Sequence, residues 1–505
     1  MTRNQRLVLV ASILGSFVAF LDIAVVNVAL PAIRRELGGG IAVQQWVVDA
    51  YLLALGSLIL IAGSLSDLFG RRRVFAGGLI GFAVTSALCA VAPTVAILII
   101  GRGLQGVAGA LLVPSSLALI ISTFAGPAQG KAIGTWTAWT GISFVLGPLV
   151  GGALVDAGSW RWVFAINVVP VAATLLVLAR VQPEARPAAR SPVDFVGAGL
   201  CAVGLGGIIF ALIEQPTRGW AAPSIYLPLV GGLLAFTGFL LFERVTAHPM
   251  LDYDLFRSRN FAAGNLATVA IYAGLTASTF LLTVFLQQVA GYSAVAGGLA
   301  LLPVTLIMFT LSPVFGRLSA RHGPRLFMSL GPMVVAAGFA LMTRLDARGS
   351  YLSQLLPGVL VFGLGLAATV APLTAAILGG IDERHAGIGS AINNAIARVA
   401  GLLAVAALGA IVAARFGASI DRGLASTPGL DARARVFLAQ AKQRPLDTSI
   451  PDGARDGSRP ILEPILDAAS VEAMHAGLWS MAALLALGGL ISALGIQNRP
   501  RRPAA

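Results

Sequence analysis

Apolar residues in this chain come in blocks of about 20, parted by short strings carrying arginine, glycine and proline. A block of that length crosses the hydrocarbon of a bilayer as a helix, and a helix is the natural choice because lipid leaves no outside partner for backbone N–H and C=O groups. The blocks predict fourteen helices, over residues 7–30, 45–65, 74–92, 95–122, 131–155, 162–181, 193–213, 222–244, 259–286, 293–315, 326–343, 352–378, 386–414 and 473–495. The first is too long for the apolar core of a signal peptide, so it reads as an uncleaved first span. Segment 415–472 breaks the pattern. It is polar and mixed in charge, with a helical stretch predicted around 429–443, and is assigned no chemistry.

A few charges interrupt the blocks. Asp22 lies inside the otherwise apolar run from Leu7 to Leu30. A carboxylate at that depth costs about 2.5–3.5 kcal/mol on insertion-derived scales, and groups carrying such a cost usually bind or move something. Counting at 1.5 Å per residue puts Asp22 about 5 Å to the outer side of the midplane and Arg102, in the fourth block, about 9 Å on the same side. That allows the two to pair. The pair reads either as a proton-handling site, in which Arg102 holds Asp22 ionised until a proton or substrate competes, or as a permanent structural ion pair. Asp49, about 9 Å outward in the second block, reads as a cavity carboxylate for lipophilic cations or as a wetted interfacial residue. Arg398, beside Asn393 and Asn394, meets no acid within the last six blocks and reads as a cavity or gating residue, or as a charge met by backbone carbonyls and water. Trp136 and Trp139 could stack on aromatic or cationic molecules, or simply pack helices.

Composition agrees with a polytopic membrane protein: 505 residues, 57% hydrophobic and only 11% charged. The net charge of +13 would otherwise point to nucleic acid, but no soluble basic domain carries it. The basic residues sit in the loops. With the N-terminus inside, 19 arginines and lysines fall in inner segments and 6 in short outer loops, so the positive-inside rule puts both termini in the cytoplasm. Cys89 and Cys201 both fall in apolar blocks, which leaves no disulfide framework and no metal cluster. There is no phosphate-cradling glycine loop with lysine and no hydrolase triad, so neither ATP drive nor an enzyme is expected.

The chain also repeats itself. Gly63-Ser64-Leu65-Ser66-Asp67-Leu68-Phe69-Gly70-Arg71-Arg72 follows the second block, and Gly316-Arg317-Leu318-Ser319-Ala320-Arg321 follows the tenth. Gly134 and Gly389 open the fifth and thirteenth at nearly the same offset. A duplicated six-helix unit implies two halves around a cavity that rock to expose it alternately. The predicted organisation is an N-terminal six-helix bundle (1–182), a linker with two additional helices (183–258) and a C-terminal six-helix bundle (259–505) that contains loop 415–472.

Taken in order, four strings give the chain a resemblance: Leu21 to Pro31, Gly63 to Arg73, Arg102-Gly103-Leu104-Gln105-Gly106-Val107-Ala108-Gly109-Ala110, and Gly141 to Gly152 with Gly147-Pro148 at its centre. Ser159-Trp160-Arg161-Trp162-Val163-Phe164-Ala165-Ile166-Asn167 adds a fifth. Together they resemble the fourteen-span drug–proton antiporter branch of the major facilitator superfamily, over nearly the whole chain except 415–472. The resemblance implies an all-α fold of two six-helix bundles with two extra helices between them. It implies proton coupling through Asp22 and Arg102. It also implies a conformational latch built on Gly63, Asp67, Gly70, Arg71 and Arg72, and an antiporter bend at Gly147 and Pro148. The chain departs from the branch at Ala24, Leu68 and Ala320.

The expected function is proton-coupled export of amphipathic small molecules across the plasma membrane by a monomer, with protons and a small-molecule substrate as partners and no metal, cofactor or nucleic acid. Export or flipping of a lipid or an endogenous metabolite on the same fold is the alternative. Uptake by symport is a weaker fit, because the Gly147-Pro148 bend is an antiporter feature.

Overall fold

The computed structural model describes all residues except 125–126, 183–193, 248, 252, 380–385, 428–429, 451–458 and 499–505, together with some side chains inside helices, those of Gly63 and Asp67 among them. The described chain is helical, with no β-strand, and thirteen stretches are long and apolar enough to cross a membrane. The all-α expectation is borne out. Helix α5 (Pro127–Asp156) has 30 residues, but its described side chains leave only Leu146–Asp156 as a shorter apolar stretch.

By their contacts the residues fall into two compact units. Unit 1 comprises Met1–Met250 and Tyr292–Gly298. It holds α1 (Arg3–Leu37), α2 (Ile41–Phe69), α3 (Arg71–Ala90), α4 (Val95–Thr123), α5, the short α6 (Trp162–Ala165), α7 (Val168–Ala179), α8 (Phe195–Arg218) and α9 (Pro223–Val245). Helix α1 opens on a capping box, in which Thr2 and Gln5 satisfy each other's backbone N–H groups. It packs against α4, α5 and α7, and α2 packs between α4 and α8. The two additional helices pair with each other as α8 on α9 and reach the bundle through α2.

Two backbone features set the geometry of this unit. Gly70 is the only residue between α2 and α3, at φ +92°, a conformation that costs glycine nothing and other residues strain. The hairpin is therefore as short as the sequence reading required. At Gly147, a Cβ would fall on that of Ala24, so α1 and α5 touch almost backbone to backbone.

Unit 2 comprises Leu251–Gly291 and Leu299–Ala505. It holds α10 (Arg259–Gln288), α12 (Leu302–His322), α13 (Pro324–Met342), α14 (Leu356–Gly379), α15 (Ala386–Ser426), α16 (Ala432–Ala441) and α17 (Arg459–Gly495), and α11 (Ala294–Ala300) runs across the boundary into it. Helix α10 packs on α15 and α17, and α13 on α14 and α17.

The helices differ from the predicted blocks in two ways. The sixth and tenth blocks are each broken. Pro170 has no N–H to give the Ile166 carbonyl, and the helix turns between α6 and α7; Pro303 does the same to Leu299 between α11 and α12. The last two helices outrun their blocks. Helix α15 continues to Ser426 and α17 starts at Arg459, so much of segment 415–472 is helix, with α16 inside the stretch predicted at 429–443. A helix ends at a breaker rather than where apolar residues stop, and between Arg415 and Ser426 there is no proline.

Candidate functional site

Asp22 and Arg102 meet, with Arg102 Nη1 donating to Asp22 Oδ2 at 2.6 Å. Their side chains are 0% and 2% exposed. Pairing alone rarely offsets the cost of stripping water from two charges, so the remaining lone pairs and protons need partners as well. They have them. Asp22 Oδ1 accepts from Gln105 Nε2 at 3.0 Å and from Asn167 Nδ2 at 2.8 Å. Arg102 Nε donates to the Val47 carbonyl at 3.0 Å and Nη1 to Gln105 Oε1 at 2.7 Å. Its guanidinium stacks over the Tyr51 ring, 4.4 Å from the centroid. Ser86 joins as acceptor to Gln105 Nε2 at 2.8 Å and to Asn167 Nδ2 at 3.4 Å.

Five elements build this network, all in unit 1. Asp22 comes from α1, Ser86 from α3, Arg102 and Gln105 one helical turn apart from α4, and the Val47 carbonyl and Tyr51 ring one turn apart from α2. Asn167 comes from the break between α6 and α7. That break turns the sixth block just where its one amide must point at the carboxylate. Helix α2 approaches α4 closely because Gly106 has no Cβ to strike the Tyr51 carbonyl.

The arrangement favours one chemistry. Arg102 retains Val47, Gln105 and Tyr51 if Asp22 is neutralised, so the arginine is fixed by its surroundings. Asp22, by contrast, has Arg102 as its one cationic partner beside the two amide donors. The sequence reading did not include Gln105, Ser86, Tyr51 or Asn167, although Gln105 and Asn167 stand as isolated amides in the quoted strings. A polar side chain inside an apolar block was the available signal.

The other expected residues are scattered. Asp49 is 0% exposed, and neither carboxylate oxygen has a hydrogen-bond partner among the described residues. It flanks the α2 stripe that meets α8, where Trp46 donates to Glu214 Oε1 at 3.0 Å, and it points away from the Val47–Tyr51 face. Trp136 donates to Ser16 Oγ at 3.1 Å, and Ser16 in turn bonds Ser116 at 2.6 Å, so this indole ties α5 to α1 and α4. Trp139 is 51% exposed. The side chains of Gly63 and Asp67 lie outside the described residues. Arg72 donates to the Ala179 carbonyl at 3.4 Å, at the end of α7. Pro148 and Gly152 pack against Gly298 and Val295 of the short stretch that belongs to unit 1.

In unit 2, Arg398 on α15 lies within electrostatic reach of Tyr272 on α10. Five residues earlier, Asn393 donates to Asn265 Oδ1 at 3.0 Å and Thr268 Oγ1 at 2.9 Å. This seam between α10 and α15 is polar without an acid. Among the described residues no group of three or more histidines, cysteines or acids is placed to hold a metal.

Comparison with known proteins follows the same outline. The chain is 34% identical over 424 residues to the multidrug resistance protein Stp of Mycobacterium tuberculosis, covering 83% of this chain and 78% of that one. It is 36% identical over 408 residues to the puromycin resistance protein pur8 of Streptomyces alboniger, covering 80% and 81%. Among solved structures, a bacterial homologue of the human lysosomal transporter Spinster, inward-facing and unoccupied, aligns with a TM-score of 0.66 at 14% identity over 99% of this chain and 100% of that one, a likeness of fold. A family profile described as Major Facilitator Superfamily matches residues 12–405, most of the chain, and the chain belongs to that superfamily.

Proposed function

We propose that this protein is a proton-driven exporter of amphipathic small molecules. The observation that carries the reading is the buried Asp22–Arg102 pair with its Gln105 and Asn167 collar. A buried carboxylate at membrane depth, beside an arginine that has other partners of its own, is a place to load and unload one proton per cycle. Binding of the proton and of the cargo to alternately exposed states then couples inward proton flow to outward cargo flow. The relatives support the cargo class: they are named for resistance to several drugs or to puromycin.

The membrane is the plasma membrane, both termini are cytoplasmic as the loop arginines require, and the working unit is a monomer. Gly147 and Pro148, pressed against Ala24 and Gly298, form a closely packed seam that limits leak. Gly63, Asp67, Gly70, Arg71 and Arg72 form the latch at the α2–α3 hairpin. Asp49 attracts cationic cargo, and Arg398, Trp136 and Trp139 contribute to its binding.

A second reading is a dedicated exporter of one compound, such as a metabolite. It is favoured by relatives named for single compounds, the tetracenomycin C resistance and export protein of Streptomyces glaucescens and the probable actinorhodin transporter of Streptomyces coelicolor.

Uptake into inverted membrane vesicles, with cationic drugs, neutral drugs and lipids as cargo, tests both. Proton-driven export requires accumulation that collapses when the proton gradient is dissipated and is lost in Asp22→Asn. A single accumulated compound would favour the dedicated exporter, and gradient-independent accumulation would refute proton drive.

A further inference from the structure

A cleft of about 630 Å³ opens on the flank of α15 and α17, within unit 2. At Gly477 of α17, Leu281 of α10 and Leu408 of α15 take the place of a side chain, and Val412 lies in contact beside them. Beside that contact Ala414 and Ala476 are too small to fill the gap, and the cleft results.

Its charged and aromatic groups are ordered along the helices. On α17, Trp479, His475 and Glu472 succeed one another at helical spacing, and on α15 Arg415 and Arg422 lie two turns apart on one side. Taking Gly495 as the cytoplasmic end of the α17 span, Trp479 stands about 24 Å up, His475 about 30 Å and Glu472 about 35 Å, and Arg415 lines the same cleft as Glu472. The hydrocarbon of a bilayer is about 30 Å thick. Trp479, 56% exposed, thus sits in the last layer of hydrocarbon, and the charges stand at headgroup level beyond it.

Glu472 is engaged by Arg422 in an ion pair. Arg415 lies near enough to act on Glu472 electrostatically, but makes no ion pair or hydrogen bond among the described residues. The two arginines and one acid leave a single positive charge. His475 is held at the wall by the Leu345 carbonyl, 3.3 Å from its Nε2. A lone exposed guanidinium above an exposed indole, at the boundary of hydrocarbon and headgroups, matches an anionic phosphodiester on an acyl tail.

We propose that this cleft binds the headgroup of an anionic phospholipid of the outer leaflet, Arg415 taking the phosphodiester and Trp479 lying along the first acyl carbons. The leaflet, though not the lipid class, rests on the orientation proposed above.

The test uses the full-length protein in nanodiscs of phosphatidylcholine doped with phosphatidylglycerol. Brominated lipids quench indoles they touch, and the part of the quenching lost in Trp479→Phe reports the cleft. That part should be quenched by brominated phosphatidylglycerol at mole fractions where brominated phosphatidylcholine has no effect. Arg415→Ala should raise the phosphatidylglycerol needed by at least about tenfold, the scale of a lost hydrogen bond to a charged group, and Arg415→Lys should restore most of it. Equal quenching by the two lipids, or an Arg415→Ala response like that of the wild type, overturns the proposal. Labelling Ser426→Cys with a membrane-impermeant reagent from each side settles the leaflet separately. Labelling from the cytoplasmic side alone would refute the orientation and the leaflet, while leaving the lipid-class result standing.

Discussion

Removing either member of the Asp22–Arg102 pair leaves a charge without its counterpart, yet the two removals are not equivalent. Asp22→Asn leaves Arg102 with the Val47 carbonyl, Gln105 Oε1 and the Tyr51 ring. Arg102→Ala leaves Asp22 with only two neutral amide donors and no cation. Stripping one partner from a buried pair costs about 3–5 kcal/mol when nothing else compensates. Arg102→Ala should therefore lower the thermal midpoint of the detergent-solubilised protein clearly, whereas Asp22→Asn keeps most of the stability and loses proton-driven accumulation. An Arg102→Ala protein as stable as the wild type would refute the unequal partnership. Asn167→Leu removes one donor to the carboxylate, worth about 1.5–3 kcal/mol for a charged group. Its gradient-driven accumulation should fall by about tenfold or more without vanishing, and an unchanged initial rate would remove Asn167 from the site. The pair itself was legible in the sequence, because two lone charges at matching depth in apolar blocks have few other places to go. The collar was not: amides and hydroxyls are cheap enough in a helix to pass without comment, and Asn167 points inward only because Pro170 breaks the helix there.

At the scale of elements, the sequence predicted helices well in the middle and poorly at the ends. Hydropathy marks where lipid would be, while capping and proline mark where helix stops, and the two disagree most at α15 and α17. Close approach was legible only as a string of glycines; which helix each one meets required the fold. Gly147 illustrates the difference. Its missing Cβ is the space occupied by Ala24, so even Gly147→Ala must push α1 from α5. Gly134, on the same helix, has nothing within 4 Å of the place a Cβ would take. Gly134→Ala should be neutral or slightly stabilising, since alanine favours helix over glycine by about 1 kcal/mol. Gly147→Ala should lower the thermal midpoint, and if it keeps a folded monodisperse peak it should lower accumulation too. Two indistinguishable alanine variants in size-exclusion and thermal-melt profiles would mean that the α1–α5 contact is loose.

For the whole molecule the distribution of carboxylates bears on the charge that the proposed cycle carries. Between Arg259 and Ala414, a stretch holding five of the six predicted spans of the second repeat, the only acids in the sequence are Asp346, Asp382 and Glu383, none of them within the predicted spans. The predicted spans of the second repeat therefore offer no acid to match Asp22, and on the proposed reading the proton exchanged at Asp22 is the charge moved when the cargo is neutral. Each cycle then carries one positive charge inward, and a membrane potential of 100 mV contributes about 2.3 kcal/mol to it. A monovalent cation leaving in exchange for that proton cancels the charge, and the potential contributes nothing. In vesicles loaded and diluted with potassium and valinomycin to set the voltage at fixed pH gradient, accumulation of a neutral cargo should rise with an aiding potential, whereas that of a monovalent cation should follow the pH gradient alone. On the proposed reading, Asp49 enters only the second case. Asp49→Asn should weaken cation accumulation and leave the neutral cargo with its full voltage response. Neutral accumulation indifferent to voltage would mean that the cycle moves no net charge, and Asp22 could not then be its proton carrier.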